Sequence, residues 1–156
     1  MFRPTTAPRT AVRRAALAAV VALALPAAAS AQVDRGMWFR QVSTMLDENT
    51  AVMARFGGHP SHDTFIDYLD DGAYQDVRLT LRAGRHYVFA GVCDSDCRDL
   101  DFRLFDDRYN PVAADTDPDP TPMVEVTPRY TGTFHLRVSM ASCTANPCWW
   151  GVGVYR

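Results

Sequence analysis

Past its leader, this chain predicts a mainly β protein: a two-sheet antiparallel sandwich preceded by one N-terminal amphipathic helix. Three observations carry that reading. About eight short apolar runs lie between Phe65 and Tyr155, most of them alternating with polar residues and parted by turn signals. Only Val33 to Phe56 repeats its apolar residues at helical spacing. Four cysteines fall in two close pairs, Cys93 with Cys97 and Cys143 with Cys148, each lying between two of the runs.

Residues 1-31 are expected to be a cleaved signal peptide. Arg3, Arg9, Arg13 and Arg14 form a basic start, Ala15 to Pro26 is an apolar run too short to span a bilayer comfortably, and Ala29-Ser30-Ala31 has the small-x-small cleavage pattern. An uncleaved anchor fits Pro26 and the alanines after it less well. Arg13-Arg14 raises twin-arginine export, but Ala15-Ala16-Leu17 is a loose match, so ordinary secretion to the periplasm or the medium is expected. No later segment is expected to span a membrane. The remaining 125 residues suffice for one domain. Four of the sixteen basic residues leave with the leader while all eighteen acidic ones stay, so the exported chain carries about −6. That sign argues against nucleic acid or anionic lipid as a partner.

The helix is expected over 32-58, with Trp38, Val42, Met45 or Leu46, Val52 or Met53 and Phe56 as its stripe against the domain. Gly57-Gly58 stops it and Pro60 prevents its resumption. The β-sandwich domain then occupies 64-156. Phe65 to Leu69 is a first strand, Asp70-Asp71-Gly72 a turn, and Val77, Leu79 and Leu81 a second wet-faced strand. Tyr87 to Val92 is apolar on both faces, whereas Leu100, Phe102 and Leu104 alternate with Asp99, Asp101 and Arg103. These two are expected to form a hairpin across the core. Val112 to Ala114 is a short strand, Asp115 to Pro122 a proline-rich surface loop, and Val124 with Val126 a further strand. Phe134, Leu136, Val138 and Met140 give the clearest alternation, and Trp149 to Tyr155 closes the domain with Trp150, Val152 and Val154 on one face.

In an exported chain an even number of cysteines implies disulfides. Four cysteines allow three connectivities. The local pairs Cys93–Cys97 and Cys143–Cys148 are preferred, because each closes a turn without assuming distant geometry. A four-thiolate zinc site is the rival, disfavoured by the oxidising compartment and the spacing.

Several runs carry a family resemblance: Leu69-Asp70-Asp71-Gly72, Leu81 to Tyr87, Asp99 to Asp106, and Tyr130 to Val138. Across Phe65 to Tyr155 the chain resembles the bacterial pre-peptidase C-terminal domain. The resemblance implies a sandwich of jelly-roll type, exported and not itself catalytic. No protease is expected ahead of the domain, unlike that family's usual setting, and the cysteine pairs are not a general feature of that family.

No stretch dictates a reaction, and no catalytic residue or cofactor is expected. His59, His62 and Asp63 sit close enough for a metal or an acid–base pair, so a small secreted hydrolase using this segment is the alternative function. Ser61 beside them lacks the strand-turn-helix setting of a reactive serine. The expected role is binding or structural support in the cell envelope or outside the cell, with a protein or carbohydrate partner. The two closed turns are expected at one end of the sandwich, gathering Asp94, Asp96, Asp99, Asn146 and one of Trp149 and Trp150 into a stiffened binding rim. Asp94, Asp96, Asp99 and Asp101 are also a candidate weak calcium site, although glycine is missing at the sixth position of the loop. A solvated acidic turn is the competing reading.

Overall fold

The computed structural model describes residues 28–156; the expected signal peptide, apart from its last four residues, lies outside the described residues. One helix, α1 (Ala28–Arg55), is followed by eight strands: β1 (Phe65–Leu69), β2 (Tyr74–Leu81), β3 (Tyr87–Cys93), β4 (Cys97–Phe105), β5 (Pro111–Asp115), β6 (Met123–Val126), β7 (Gly132–Cys143) and β8 (Cys148–Tyr155). They form two four-stranded sheets in the orders β1-β8-β3-β6 and β2-β7-β4-β5, with every pairing antiparallel. This is the strand order of a jelly roll. Between consecutive strands only the β4–β5 connection stays within a sheet; each of the others crosses the sandwich.

The hairpin expected of β3 and β4 is therefore wrong. The two strands lie in different sheets, β3 between β8 and β6, and β4 between β7 and β5. The polarity of their outer faces supplies the reason. The outer face of β3 carries buried Ala90 and Val92, whereas that of β4 carries Asp99, Asp101 and Arg103. Side by side, the two would need one surface to be dry and wet at once. Placed in opposite sheets, each outer face meets its own environment.

Alternation sets the core. Leu100, Phe102 and Leu104 of β4 and Leu136, Val138 and Met140 of β7 face Phe89 of β3 and Trp150, Val152 and Val154 of β8. Gly91 is part of this fit, because a Cβ there would stand 2.6 Å from Cζ of Phe102.

The outer face of the β1-β8-β3-β6 sheet is covered by α1. Val42 and Leu46 bury themselves against Val92, with Ile66, Met45 and Trp149 packed around them. Gly151 leaves the groove in which they lie, since a Cβ there would come within 2.7 Å of Val42 and 2.8 Å of Leu46. One turn further along the helix, Thr50 Oγ1 meets Tyr155 Oη at 3.0 Å. The helix ends in a Schellman arrangement: the Gly57 N–H donates to Ala54 O (3.1 Å) and the Gly58 N–H to Met53 O (2.9 Å), with Gly57 at φ +80°. The docked stripe is shorter than expected. Phe56 falls just past the last helical residue and is 84% exposed, and Val52 also points outward. Among the described residues the helix runs over Ala28–Arg55, so it stops a few residues before the expected end at 58.

Candidate functional site

Three chain corners meet at one end of the sandwich. The β3–β4 corner is closed by Cys93–Cys97 and the β7–β8 corner by Cys143–Cys148. The third joins β1 to β2 through Asp70–Ala73. Asp94 ties the first corner down. Its side chain is buried, with Oδ1 accepting the N–H groups of Asp96 (3.1 Å) and Cys97 (3.2 Å) and Oδ2 accepting that of Trp149 (2.7 Å). Burial pushes the Asp94 carboxyl up, against the downward pull of those three donors. Thr144 then links the two disulfide corners by donating its N–H (2.9 Å) and its hydroxyl (2.7 Å) to Asp96 O. Asp71 brings in the third, accepting the Cys143 N–H (2.8 Å), while its own N–H donates to Asn146 Oδ1 (2.8 Å).

Trp149 and Trp150 part company here, as neighbours on a strand must. Trp150 belongs to the core, 1% exposed, and is no part of a binding surface. Its place on β8 sends it into the filled space between the sheets. Trp149 faces outward beside α1. Its ring lies 5.3 Å from that of Tyr68 and meets Phe39 edge-on at 6.1 Å. Phe39 is 46% exposed and Tyr68 44%. This end of the molecule thus presents two half-exposed aromatic rings, Phe39 and Tyr68, against Trp149. Phe39 and Tyr68 were not legible as site residues, because only the docking of α1 across β8 and β1 brings them to Trp149.

The four aspartates of the candidate calcium site take separate roles. Asp94 spends both carboxylate oxygens on backbone donors, and Asp101 pairs with Arg103 at 3.2 Å. Asp99 has a buried Oδ1 without a hydrogen-bond partner among the described residues; burial first, then the charges of Asp101 and Asp119, hold its carboxyl above the ordinary value. Among the described residues no group of three or more His, Cys, Asp or Glu is arranged to hold a metal ion. The four carboxylates are thus not gathered around one point: the turn folds Asp94 inward, and strand pleat carries Asp101 to an arginine.

The outer face of the second sheet bears a cluster that the alternation marked only as wet. Arg137 grips Asp76 through Nε (2.8 Å) and Nη2 (3.0 Å), with its guanidinium carbon 4.1 Å above the Tyr74 ring and 5.4 Å from that of Phe105. Tyr109 donates its hydroxyl to Asp76 (3.3 Å) and stacks on His135 at 4.5 Å. The Arg137 hydrogen bonds hold the Asp76 carboxyl below its ordinary value.

The His59–Asp63 segment lies at the opposite end. The His59 backbone exchanges hydrogen bonds with that of Arg156 (2.9 and 3.0 Å), and Asp63 is exposed. His62 Nε2 lies 3.1 Å from Thr80 O, which only accepts, so this nitrogen carries the proton. Ser61 Oγ sits 2.9 Å from Nδ1 and 3.1 Å from Val154 O. Ser61 and His62 are thus brought together, whereas His59 and Asp63 do not join them in a ligand set among the described residues.

Compared with protein-family models the chain matches none, and it matches none of the curated proteins. Among the described residues, no helix is long and apolar enough to cross a membrane.

Proposed function

We propose that this chain is an exported, non-catalytic β-sandwich binding module, akin to the pre-peptidase C-terminal domain, that takes a glycan on its disulfide-closed rim. The observation that carries the reading is Trp149 on the outer face of β8, its ring in contact with those of Phe39 and Tyr68, on the strand that leads out of the disulfide-closed corner holding Asn146. Sugar rings are recognised by aromatic faces for their C–H surfaces and by fixed polar groups for their hydroxyls. Corners already ordered by disulfides and cross-links lose little entropy on binding. Export is supported by the basic-apolar leader with its Ala29-Ser30-Ala31 site and by the two disulfides. The jelly-roll strand order agrees with the fold that the resemblance implies.

A second reading, a small hydrolase, rests on the 2.9 Å contact between Ser61 Oγ and His62 Nδ1. One set of measurements separates the two. Affinity electrophoresis against a panel of soluble polysaccharides is expected to show retardation that Trp149→Ala abolishes under conditions where its circular dichroism shows the variant still folded. Turnover of generic ester, peptide or glycoside substrates that is lost in His62→Ala, with no retardation by any polysaccharide, would overturn the binding-module reading.

A further inference from the structure

The end of the sandwich opposite the rim carries a pocket of about 410 Å³ lined by Ser61, His62, Thr80, Arg82, Tyr87 and Arg156. We propose that this pocket binds a phosphate group, free or as an organic monoester. Its lining is polar: two arginines line it, and no aspartate or glutamate side chain does. Among the described residues neither Arg82 nor Arg156 forms an ion pair, whereas Arg103 and Arg137 both do. Two arginines without an ion-pair partner thus border one concavity, where an anion could pair with both.

The neutral donors fit the same ligand. Tyr87 is buried, and its hydroxyl oxygen accepts the Arg82 N–H at 3.1 Å, so the phenolic proton is left to donate elsewhere. The walls are fixed in advance. His62 is anchored on Thr80 O and Ser61, and the Ser61 N–H donates to Val154 O at 2.8 Å. The backbone bonds between His59 and Arg156 hold the last residue of the wall in place. Forked guanidinium donors match the oxygen edges of a tetrahedral oxyanion, and the preformed backbone wall spares part of the cost of binding one.

The test is titration calorimetry of the mature chain at constant ionic strength with inorganic phosphate, with glycerol phosphate and with chloride. Saturable binding of at least one phosphate species and none of chloride is expected. Arg82→Ala and Arg156→Ala should each weaken it about tenfold or more, the scale of a lost charged hydrogen bond. Arg82→Lys should retain part of the affinity, and Arg78→Ala, outside the pocket, all of it. Tighter binding of glycerol phosphate than of inorganic phosphate would assign the site to a monoester, and the reverse to the free ion. Phosphate heats no larger than those of chloride, or undiminished binding in Arg82→Ala, would overturn the proposal. Because the wild-type titration decides by itself, a variant that folds poorly does not blunt it. The rim lies at the other end of the molecule, so failure here leaves the glycan reading standing.

Discussion

Two carboxylates on the same sheet show how little of a residue's energetics follows from its type. Asp99 and Asp76 both stand on strands of the second sheet, but their neighbours push them in opposite directions. The folded state raises the Asp99 carboxyl, so it binds the proton more tightly than the unfolded chain does. Its contribution is fully present below the unfolded value near 3.8 and is lost as pH rises through the higher folded value. Asp76 behaves in reverse: its contribution is present above the unfolded value and is lost as pH falls through the lowered one. Asp99→Asn is therefore expected to raise the urea midpoint at pH 7 and to do nothing at pH 3. Asp76→Asn should lower the unfolding free energy at pH 7 by about 1 kcal/mol, and the midpoint with it, because the pair with Arg137 is well formed but partly in water. Urea titrations of both variants at the two pH values check the signs, and a parallel response would contradict them.

At the scale of elements, the docking of α1 depends on the absence of one methyl group. Gly151 is needed for close approach, since a side chain there would occupy the space of Val42 and Leu46. Gly151→Ala should lift the helix from the sheet and cost about 1–3 kcal/mol, the usual range for overpacking. Amide exchange should then accelerate across the second half of α1 while the strand amides keep their protection. Val42→Ala placed in the Gly151→Ala background should cost less than in wild type, because the two share one space. Strand positions were legible in the sequence because period-2 alternation reports burial directly, as Phe134 to Met140 illustrates. Strand partners were not. A hairpin and a crossing corner use the same few turn residues, and only the unlike outer faces of β3 and β4 tell them apart. The helix stripe was over-read for a related reason, since Phe56 continues the spacing of a helix that has already ended.

For the whole molecule, the candidate site was legible at its cysteines and at the Trp149-Trp150 alternation, but not at Phe39 and Tyr68, which contribute only through contacts with distant parts of the chain. The same long-range character governs what the disulfides do. Each closes a loop so short that chain entropy gives it only about 2 kcal/mol. Were that all, removing both would cost about 4 kcal/mol and the losses would add. They are not independent, because Thr144 donates twice to Asp96 O across the two corners and Asp94 binds the first corner to the Trp149 N–H. Opening either loop loosens acceptors that the other needs. Unfolding free energies for Cys93→Ala/Cys97→Ala, for Cys143→Ala/Cys148→Ala and for the fourfold variant are therefore expected to be non-additive by about 0.5–3 kcal/mol, the range for groups sharing one network. The fourfold variant should lose less than the sum, because the second opening finds the network already broken. Strict additivity would show that each disulfide stiffens only its own turn, and the rim would then be two adjacent loops instead of one surface.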